Sequence, residues 1–467
     1  MTHEDAGAPR RTAPVRWGLA ALGAAGLLLA WLESFFVHDQ VLLGILLIAV
    51  MSGAAALARL STAGRWVRAA QVAAGIGIAA EIVWLISSWY PLWVIAQAAA
   101  LLLALVAFVM VWVLRSRDRA SGGRRLVRAA LRGTGLFVTA ITALVSTVVV
   151  TLSITTLPLA MALQSASGDV NSFAPEAPTR SKVVSGVLVT NDIRYGTKYP
   201  NSYLDVYIAD NDATVSRPTY VIVHGGGFFA GSKTDGDPNA GGSYFALGGG
   251  PMLKAGYNLV TINYGLAPQV PYPTPVIQLS EAINFLKKHG SRYGLDMSRV
   301  VLSGGSAGGH IVGQYADIQT NPDYARHMKI APSLGRDALK AVVLDSAALD
   351  PRRGNATQAP VAEKDWLFSL SMRAYFGTSE RRLEEANVID HVTSSFPPAF
   401  IADGNTGTFP DQARDLAKAL AKRGVAHSLD LHPRSEAILG HGYMSSASRW
   451  TDDYNRRKLE FLTSVLK

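Results

Sequence analysis

His224-Gly225-Gly226-Gly227-Phe228 and Gly304-Gly305-Ser306-Ala307-Gly308-Gly309 decide how this 467-residue chain is read. Each stretch closes a short β-branched run, Thr219 to Val223 in the first case and Val300 to Leu302 in the second. The second has the form G-x-S-x-G between a strand and a helix. That spacing describes a strained turn lifting a serine hydroxyl clear of a sheet edge. The first is a glycine-rich turn whose bare backbone N–H groups can point at a developing negative charge. Glycine and serine are common, so G-x-S-x-G alone is weak. A glycine turn one strand–helix–strand unit upstream makes the pair specific.

Outward from these motifs the two halves of the chain differ. Up to about Leu163 the sequence is rich in Ala, Leu, Val and Trp. Residues 1–135 carry 13 Arg, no Lys and 6 acidic residues, a net +7. The remainder holds 31 basic and 29 acidic residues, so the overall +9 is no single basic surface and a nucleic-acid partner is not expected. Five apolar stretches approach the roughly 20 residues a bilayer core requires. They are Trp17–Val37, Val41–Ala58, Ala69–Ser88, Leu92–Leu114 and Leu136–Leu157. Glu33 reads as a residue near a span end that reaches the interface, and Glu81 has no evident partner. Arginines cluster before the first stretch, between the second and third, and between the fourth and fifth, and the alternate loops carry none. By the positive-inside rule the N-terminus is cytoplasmic, and an odd span count puts everything after Leu157 outside. A cleavable signal peptide fits poorly, because four more apolar stretches follow. The expected organisation is an all-α transmembrane region of about five helices (1–163), a linker rich in small and polar residues (164–182) and a soluble unit (183–467). Multi-pass residence in a plasma membrane follows, with the soluble unit extracytoplasmic. There is no cysteine, which excludes disulfides and thiol catalysis.

From Val183 onward strands and helices alternate. Strands are expected at Tyr203–Ile208, Thr219–His224, Asn258–Asn263, Arg299–Leu302, Leu339–Asp345, Ala399–Ala402 and His427–Leu431. Helices are expected at Val276–His289, Ala307–Ile318, Gln412–Arg423 and after Ser448. The alternation implies a doubly wound, mostly parallel α/β sheet with its chemistry at the carboxyl ends of the strands.

The stretch from Thr219 to about His441 resembles the α/β-hydrolase carboxylesterases related to hormone-sensitive lipase, and among them the bacterial feruloyl-esterase-like (BD-FAE-like) branch. The carrying motifs are VIVHGGGFFAGSK (Val221–Lys233), AGYNLVTINYGLAP (Ala255–Pro268), YGLDMSRVVLSGGSAGGH (Tyr293–His310), SSFPPAFIADGN (Ser394–Asn405) and GHGYM (Gly440–Met444). The resemblance implies Ser306 as nucleophile, His441 as general base, and the N–H groups of Gly225, Gly226 and Ala307 as an oxyanion hole. It also implies an aspartate in a G-x-x-D turn, where this chain has Gly404-Asn405-Thr406-Gly407. Asp403 and Asp411 flank that turn and are the replacement candidates; Asp345 and Asp350 are more distant ones, and a serine–histidine dyad without an acid is the remaining option.

An insert from Ser346 to Pro397 reads either as a lid or as a surface excursion. Asn239–Ser243 with Gly248–Gly250 reads as a loop over the same face. No phosphate loop, dinucleotide fingerprint or metal cluster is present in the sequence, so no cofactor is expected. The expected activity is outward-facing hydrolysis of carboxylic esters through an acyl-enzyme, on small-molecule, lipid or glycan esters near the membrane. Acyl transfer, or a degenerate hydrolase serving as a binding module, are the alternatives, the latter favoured by Gly407.

Overall fold

The computed structural model of the chain describes residues 12–35, 40–60, 64–87, 90–115, 157–167, 171–175, 179–234, 249–335, 337–354, 357, 362–377 and 379–466. It divides into two compact units, residues 1–156 and 157–467.

The first unit contains helices α1 (Thr12–Phe35), α2 (Gln40–Ala58), α3 (Gly64–Ser87) and α4 (Tyr90–Arg115). Each packs on its neighbour in sequence, and α1 also packs on α4. Small side chains fill the interior, among them Ala54, Ala58, Ala73, Ala74, Ala100 and Ala107. Such residues let helices approach without a bulky interlayer. Larger apolar side chains, including Leu42, Ile45, Val72, Ile76 and Ile86, face outward. Val41–Ala58 and Trp66–Ile86 are long and apolar enough to cross a membrane; the apolar runs Gly18–Ala30 and Ile95–Ala107 are shorter. Four of the five expected spans thus coincide with helices, and two of those meet the length and apolarity of a span. The fifth, from Leu136, lies outside the described residues up to position 156.

One expectation about this unit changes, that Glu33 reaches the interface. Glu33 and Glu81 are both fully buried inside it. Gln97, 64 residues from Glu33, donates to Glu33 Oε2 at 3.0 Å. A Cβ on Gly44 would stand 2.5 Å from Glu81 Oε1, so that glycine makes room for the carboxyl. A partner on another helix, as Gln97 is to Glu33, leaves no mark in the local sequence.

The second unit is built on nine strands: β1 (Ser181–Val184), β2 (Val187–Arg194), β3 (Tyr203–Ile208), β4 (Pro218–Val223), β5 (Asn258–Ile262), β6 (Asp296–Gly305), β7 (Leu339–Asp345), β8 (Ala399–Asp403) and β9 (His427–Leu431). Their order is β1-β2-β3-β5-β4-β6-β7-β8-β9. The pairs β1–β2, β2–β3 and β3–β5 are antiparallel, and every pair beyond β5 is parallel. Alternation along a strand sends successive side chains to opposite faces. In β4, Val221 and Val223 enter one core, with Leu302, Ile311 and Leu416, while Tyr220 and Ile222 enter the other, with Val301, Tyr454 and Leu462. Helices α5 (Leu157–Ser167), α6 (Thr274–His289), α7 (Ala307–Thr320), α8 (Ala362–Phe376) and α9 (Pro410–Lys422) contribute to the first core, and α10 (Arg449–Val465) to the second. The sheet reverses its winding at β4, with β5 on one side and β6 on the other. Open α/β sheets bind ligands at such a switch point, and both glycine motifs lie at its carboxyl end.

The unit begins earlier than the sequence suggested. Residues 164–182, read as a linker, include the end of α5 and the start of β1. Gln164 is buried, its Nε2 donating to the carbonyls of Phe229 (2.8 Å) and Ala267 (3.2 Å). Asn171 also bonds the backbone of Leu266 in both directions.

Candidate active site

Ser306 joins β6 to α7 at φ +53°, ψ −116°. A non-glycine residue there is strained, and strain of this kind persists only where the surroundings enforce it. The enforcement comes from two glycines. A Cβ on Gly304 would lie 2.3 Å from the carbonyl carbon of Gly308, and one on Gly308 would lie 2.1 Å from Val223 O. The helix therefore sits hard against the strand ends, and Ser306 N–H donates to Asp345 O at 2.7 Å.

His441 arrives from the loop between β9 and α10, and its Nε2 lies 2.9 Å from Ser306 Oγ. On the other side of the ring, Nδ1 lies 2.9 Å from Thr408 Oγ1. The Thr408 hydroxyl in turn donates to Asp403 Oδ1 at 2.6 Å. Asp403 is fully buried at the end of β8 and also accepts the N–H groups of Gly404 (2.7 Å) and Phe409 (3.0 Å). The Ser346 hydroxyl accepts Gly442 N–H at 3.1 Å. Burial pushes the Asp403 carboxyl up to about 7, and the hydrogen bonds it accepts pull against that rise.

The other acid candidates stand elsewhere. Asp411 lies at the start of α9, paired with Arg353 at 3.0 Å, so Arg353 and not His441 takes its charge. Asp350 is held by Arg352 and Arg353 at 2.8 and 3.0 Å. Asp345 accepts the Tyr454 hydroxyl at 2.7 Å. Thr408 was not among the sequence candidates; a threonine beside a misplaced glycine carries no catalytic signature.

The glycine turn after β4 lies against the elbow, where a Cβ on Gly225 would come 3.0 Å from Gly305 O and 3.4 Å from Ser306 Cβ. Gly226, Gly227 and Phe228 all have positive φ (+90°, +60° and +66°). The Tyr264 hydroxyl stands 3.0 Å from the carbonyls of both His224 and Gly225. His224 stacks on the Tyr264 ring at 4.1 Å and supports the turn. The N–H groups of Gly225, Gly226 and Ala307 bond no acceptor among the described residues. Beyond the turn, Lys233 is buried between Asp205 (2.9 Å) and Asp192 (2.8 Å), so it brings no unpaired charge to the site.

A cavity of about 640 Å³ opens over Ser306, within the size range of small-molecule sites. Ile222, Phe229, Leu367, Phe368 and Met444 line it, and Leu163 of α5 joins them. The insert therefore forms part of the cavity wall through α8. Phe368 meets the His441 ring edge-on at 4.8 Å, and Tyr375 stacks on Phe228 at 4.0 Å. His310 is buried beneath, its Nε2–H donating to Ala386 O at 2.8 Å, and burial lowers its imidazole to about 4. It packs against Phe228 and Phe376 without reaching the cavity. Of the loop expected over this face, 239–243 and 248 lie outside the described residues, and Gly249 and Gly250 open a short helix, Gly250–Lys254. Among the described residues no group of three or more His, Asp or Glu could hold a metal ion.

The sheet order, the serine elbow and the glycine turn define an α/β-hydrolase fold. Crystalline esterase B of Lactobacillus rhamnosis matches the structure at a TM-score of 0.54 with 19% identity, over 67% of this chain and 95% of that one. Residues 204–420 match the BD-FAE family model. The chain is 25% identical over 241 residues to a probable carboxylic ester hydrolase, LipM, of Mycobacterium tuberculosis, covering 49% of this chain and 52% of that protein. It is 29% identical over 230 residues to arylacetamide deacetylase of Oryctolagus cuniculus, covering 47% and 51%. The chain thus spans about half the length of the curated relatives it matches.

Proposed function

We propose that this chain is a membrane-anchored serine hydrolase that cleaves carboxylic esters through an acyl-enzyme. The observation that carries the reading is the 2.9 Å contact between Ser306 Oγ and His441 Nε2 at the floor of an apolar cavity. Ser306 Oγ attacks the ester carbonyl carbon as its proton passes to His441 Nε2. The carbonyl oxygen becomes an oxyanion facing Gly225, Gly226 and Ala307 N–H, each worth about 3 kcal/mol to the transition state. Collapse expels the alkoxide, which takes the proton back from His441. Water then repeats the sequence on the acyl-enzyme and frees the acid. Asp403 is the carboxylate on the Nδ1 side of the ring, one hydroxyl removed, and Asp411 has no part in the reaction.

The charge asymmetry of the arginine loops supports a cytoplasmic N-terminus, five spans and an extracytoplasmic catalytic unit. The apolar lining and the tether favour uncharged acyl esters of lipids or glycans at the membrane. The test is fluorophosphonate labelling and p-nitrophenyl ester hydrolysis by the full chain in detergent. One label per chain and measurable turnover are expected. Absence of both across acetyl to dodecanoyl esters would leave a binding module as the better description. For the topology, a reporter enzyme that works only outside the cytoplasm, fused after Lys467, is expected to be active; activity only of a cytoplasmic reporter there would overturn the orientation.

Leu163 makes a prediction about selectivity. In Leu163→Trp the larger ring fills part of the cavity, so KM for decanoyl esters should rise about tenfold or more, the scale of a few lost methylene contacts. Acetyl ester turnover should change less than about threefold, because the reacting groups are untouched. An unchanged chain-length profile would remove Leu163 from the substrate's path.

A further inference from the structure

We infer that Thr408 is the positioning residue of this site: its hydroxyl stands where the triad acid would touch the imidazole, linking His441 Nδ1–H to the carboxylate of Asp403. The inference rests on the ester-hydrolase reading. The geometry is a four-member chain, Ser306–His441–Thr408–Asp403, with successive contacts of 2.9, 2.9 and 2.6 Å.

The direction of every proton in that chain follows from one fact. A hydroxyl has a single hydrogen, and an ionised carboxylate can only accept. With Asp403 ionised, Thr408 donates to it, and only a lone pair of Oγ1 is left for the imidazole. His441 must then carry its hydrogen on Nδ1, which leaves Nε2 with the lone pair that accepts the Ser306 proton. This is the tautomer a general base requires, and a directly bonded aspartate enforces the same one. The difference is distance: the charge that balances the imidazolium is one hydroxyl further away. Orientation is retained and some electrostatic stabilisation is given up.

The surrounding backbone is built to present residue 408 and not residue 407. Gly407 has φ +57°, a left-handed conformation that suits glycine and turns the chain early. A Cβ on Gly404 would lie 2.4 Å from both Leu439 O and Gly440 O, so this turn and the histidine loop touch backbone to backbone. Asn405 stitches them: its Nδ2 donates to the carbonyls of His432 and Ala437, and its Oδ1 accepts Leu439 N–H at 3.1 Å. Thr408 and Asp403 are both fully buried, so water does not compete for either bond. As a β-branched residue, threonine also has few χ1 choices with which to drift.

Protonation of Asp403 would reverse the chain. A neutral carboxyl can donate to Thr408, the hydroxyl can turn towards Nδ1, and Nε2 then carries the hydrogen, which disables the base. Burial places that change near pH 7. Besides Thr408, the groups around the carboxyl are Ser346, His441, the Gly404 and Phe409 N–H groups, and the buried Tyr443 and Asp345 nearby.

The experiment compares the full-length wild type with Thr408→Val, Thr408→Ser and Asp403→Asn, each checked by thermal melting. Thr408→Val is expected to lose roughly two to four orders of magnitude in kcat, the range set by mispositioning the tautomer, with KM within about threefold. Thr408→Ser, which restores the hydroxyl, should stay within about tenfold of wild type and keep its pH profile. Asp403→Asn should lose activity as Thr408→Val does. The acid limb of the wild-type profile should be displaced in Asp403→Asn and not abolished, because the general base His441 must still be neutral to act. Histidine-selective 15N spectra read the tautomer without turnover: His441 should carry hydrogen on Nδ1 in wild type and Thr408→Ser, and not uniformly in Thr408→Val. A Thr408→Val enzyme with wild-type kcat and pH profile would overturn the inference while leaving the hydrolase reading intact. A wild type inactive on every ester would sink that reading, and the 15N spectra would still decide the role of Thr408. If Thr408→Val does not fold, Thr408→Ser and Asp403→Asn carry the same decision.

Discussion

Ser306→Ala is expected to reduce kcat for p-nitrophenyl esters by about five to six orders of magnitude, the scale measured when a triad serine is removed. The fold should survive. The strained φ of +53° is set by Gly304, Gly308 and the Ser306 N–H···O bond to Asp345, and alanine keeps all three. What disappears is the hydroxyl at 2.9 Å from His441 Nε2, a hydrogen bond worth about 1 kcal/mol to stability. The oxyanion donors remain and can still polarise a bound carbonyl, so a residual rate above the uncatalysed one is compatible with the mechanism. Kinetics, fluorophosphonate labelling and a melting curve on one preparation separate these effects. Labelling that persists in the variant, or turnover above about one per cent of wild type, would place the nucleophile elsewhere.

Gly308→Ala should have the largest effect on the structure itself. Its Cβ would meet Val223 O at 2.1 Å and His224 O at 2.5 Å, both backbone atoms at the end of β4. No rotamer change relieves contact with a carbonyl, so either α7 or the glycine turn must move. Overpacking of this kind costs about 3 kcal/mol or more. In a unit of this size that lowers Tm by roughly 5–10 °C. Catalysis should suffer beyond the stability loss. Whichever segment moves carries either the Ala307 donor or the residue before Gly225, and a shift of about 1 Å between reacting groups can cost a hundredfold. Gly335→Ala is the control, since a Cβ there meets nothing within 4 Å. A Gly308→Ala protein with wild-type Tm and kcat would contradict the close packing of elbow and strand.

The difference between these glycines also explains which parts of the molecule could be read in advance. Strands β3, β7 and β9 have the boundaries the sequence suggests, because runs such as Leu339–Asp345 are apolar, β-branched and bounded by polar residues. Strand β6 extends beyond Arg299–Leu302 at both ends, since the polar Asp296 pairs with Pro218 ahead of a register shift and Ser303 to Gly305 belong to the elbow. The antiparallel strands β1 and β2 were not foreseen. They lie towards the sheet edge, where β1 is exposed or half-buried throughout and β2 buries only Val189, Thr190 and Ile193, so hydrophobic alternation is blurred there. Gln164 was assigned to a linker because its neighbours are small and polar. Its burial depends on carbonyls of Phe229 and Ala267, more than sixty residues away.

The sequence by itself determined the elements that carry chemistry by local conformation. A serine between two obligatory glycines, and a turn of three glycines after a strand, have few backbone solutions, so their role is written within six residues. It also determined that two dissimilar halves share the chain, since apolarity and charge spacing need no tertiary contact to be legible. Only the tertiary structure decided which groups complete the site. His441 meets Thr408, and not Asp411, because two loops joined only through the fold touch at Gly404 and Gly440, while Arg353 holds Asp411 away. Leu163 reaches the cavity because α5 packs on a strand–turn unit far along the chain. Contacts between distant segments depend on fractions of an ångström in backbone approach, and a linear pattern of residue types does not contain that distance.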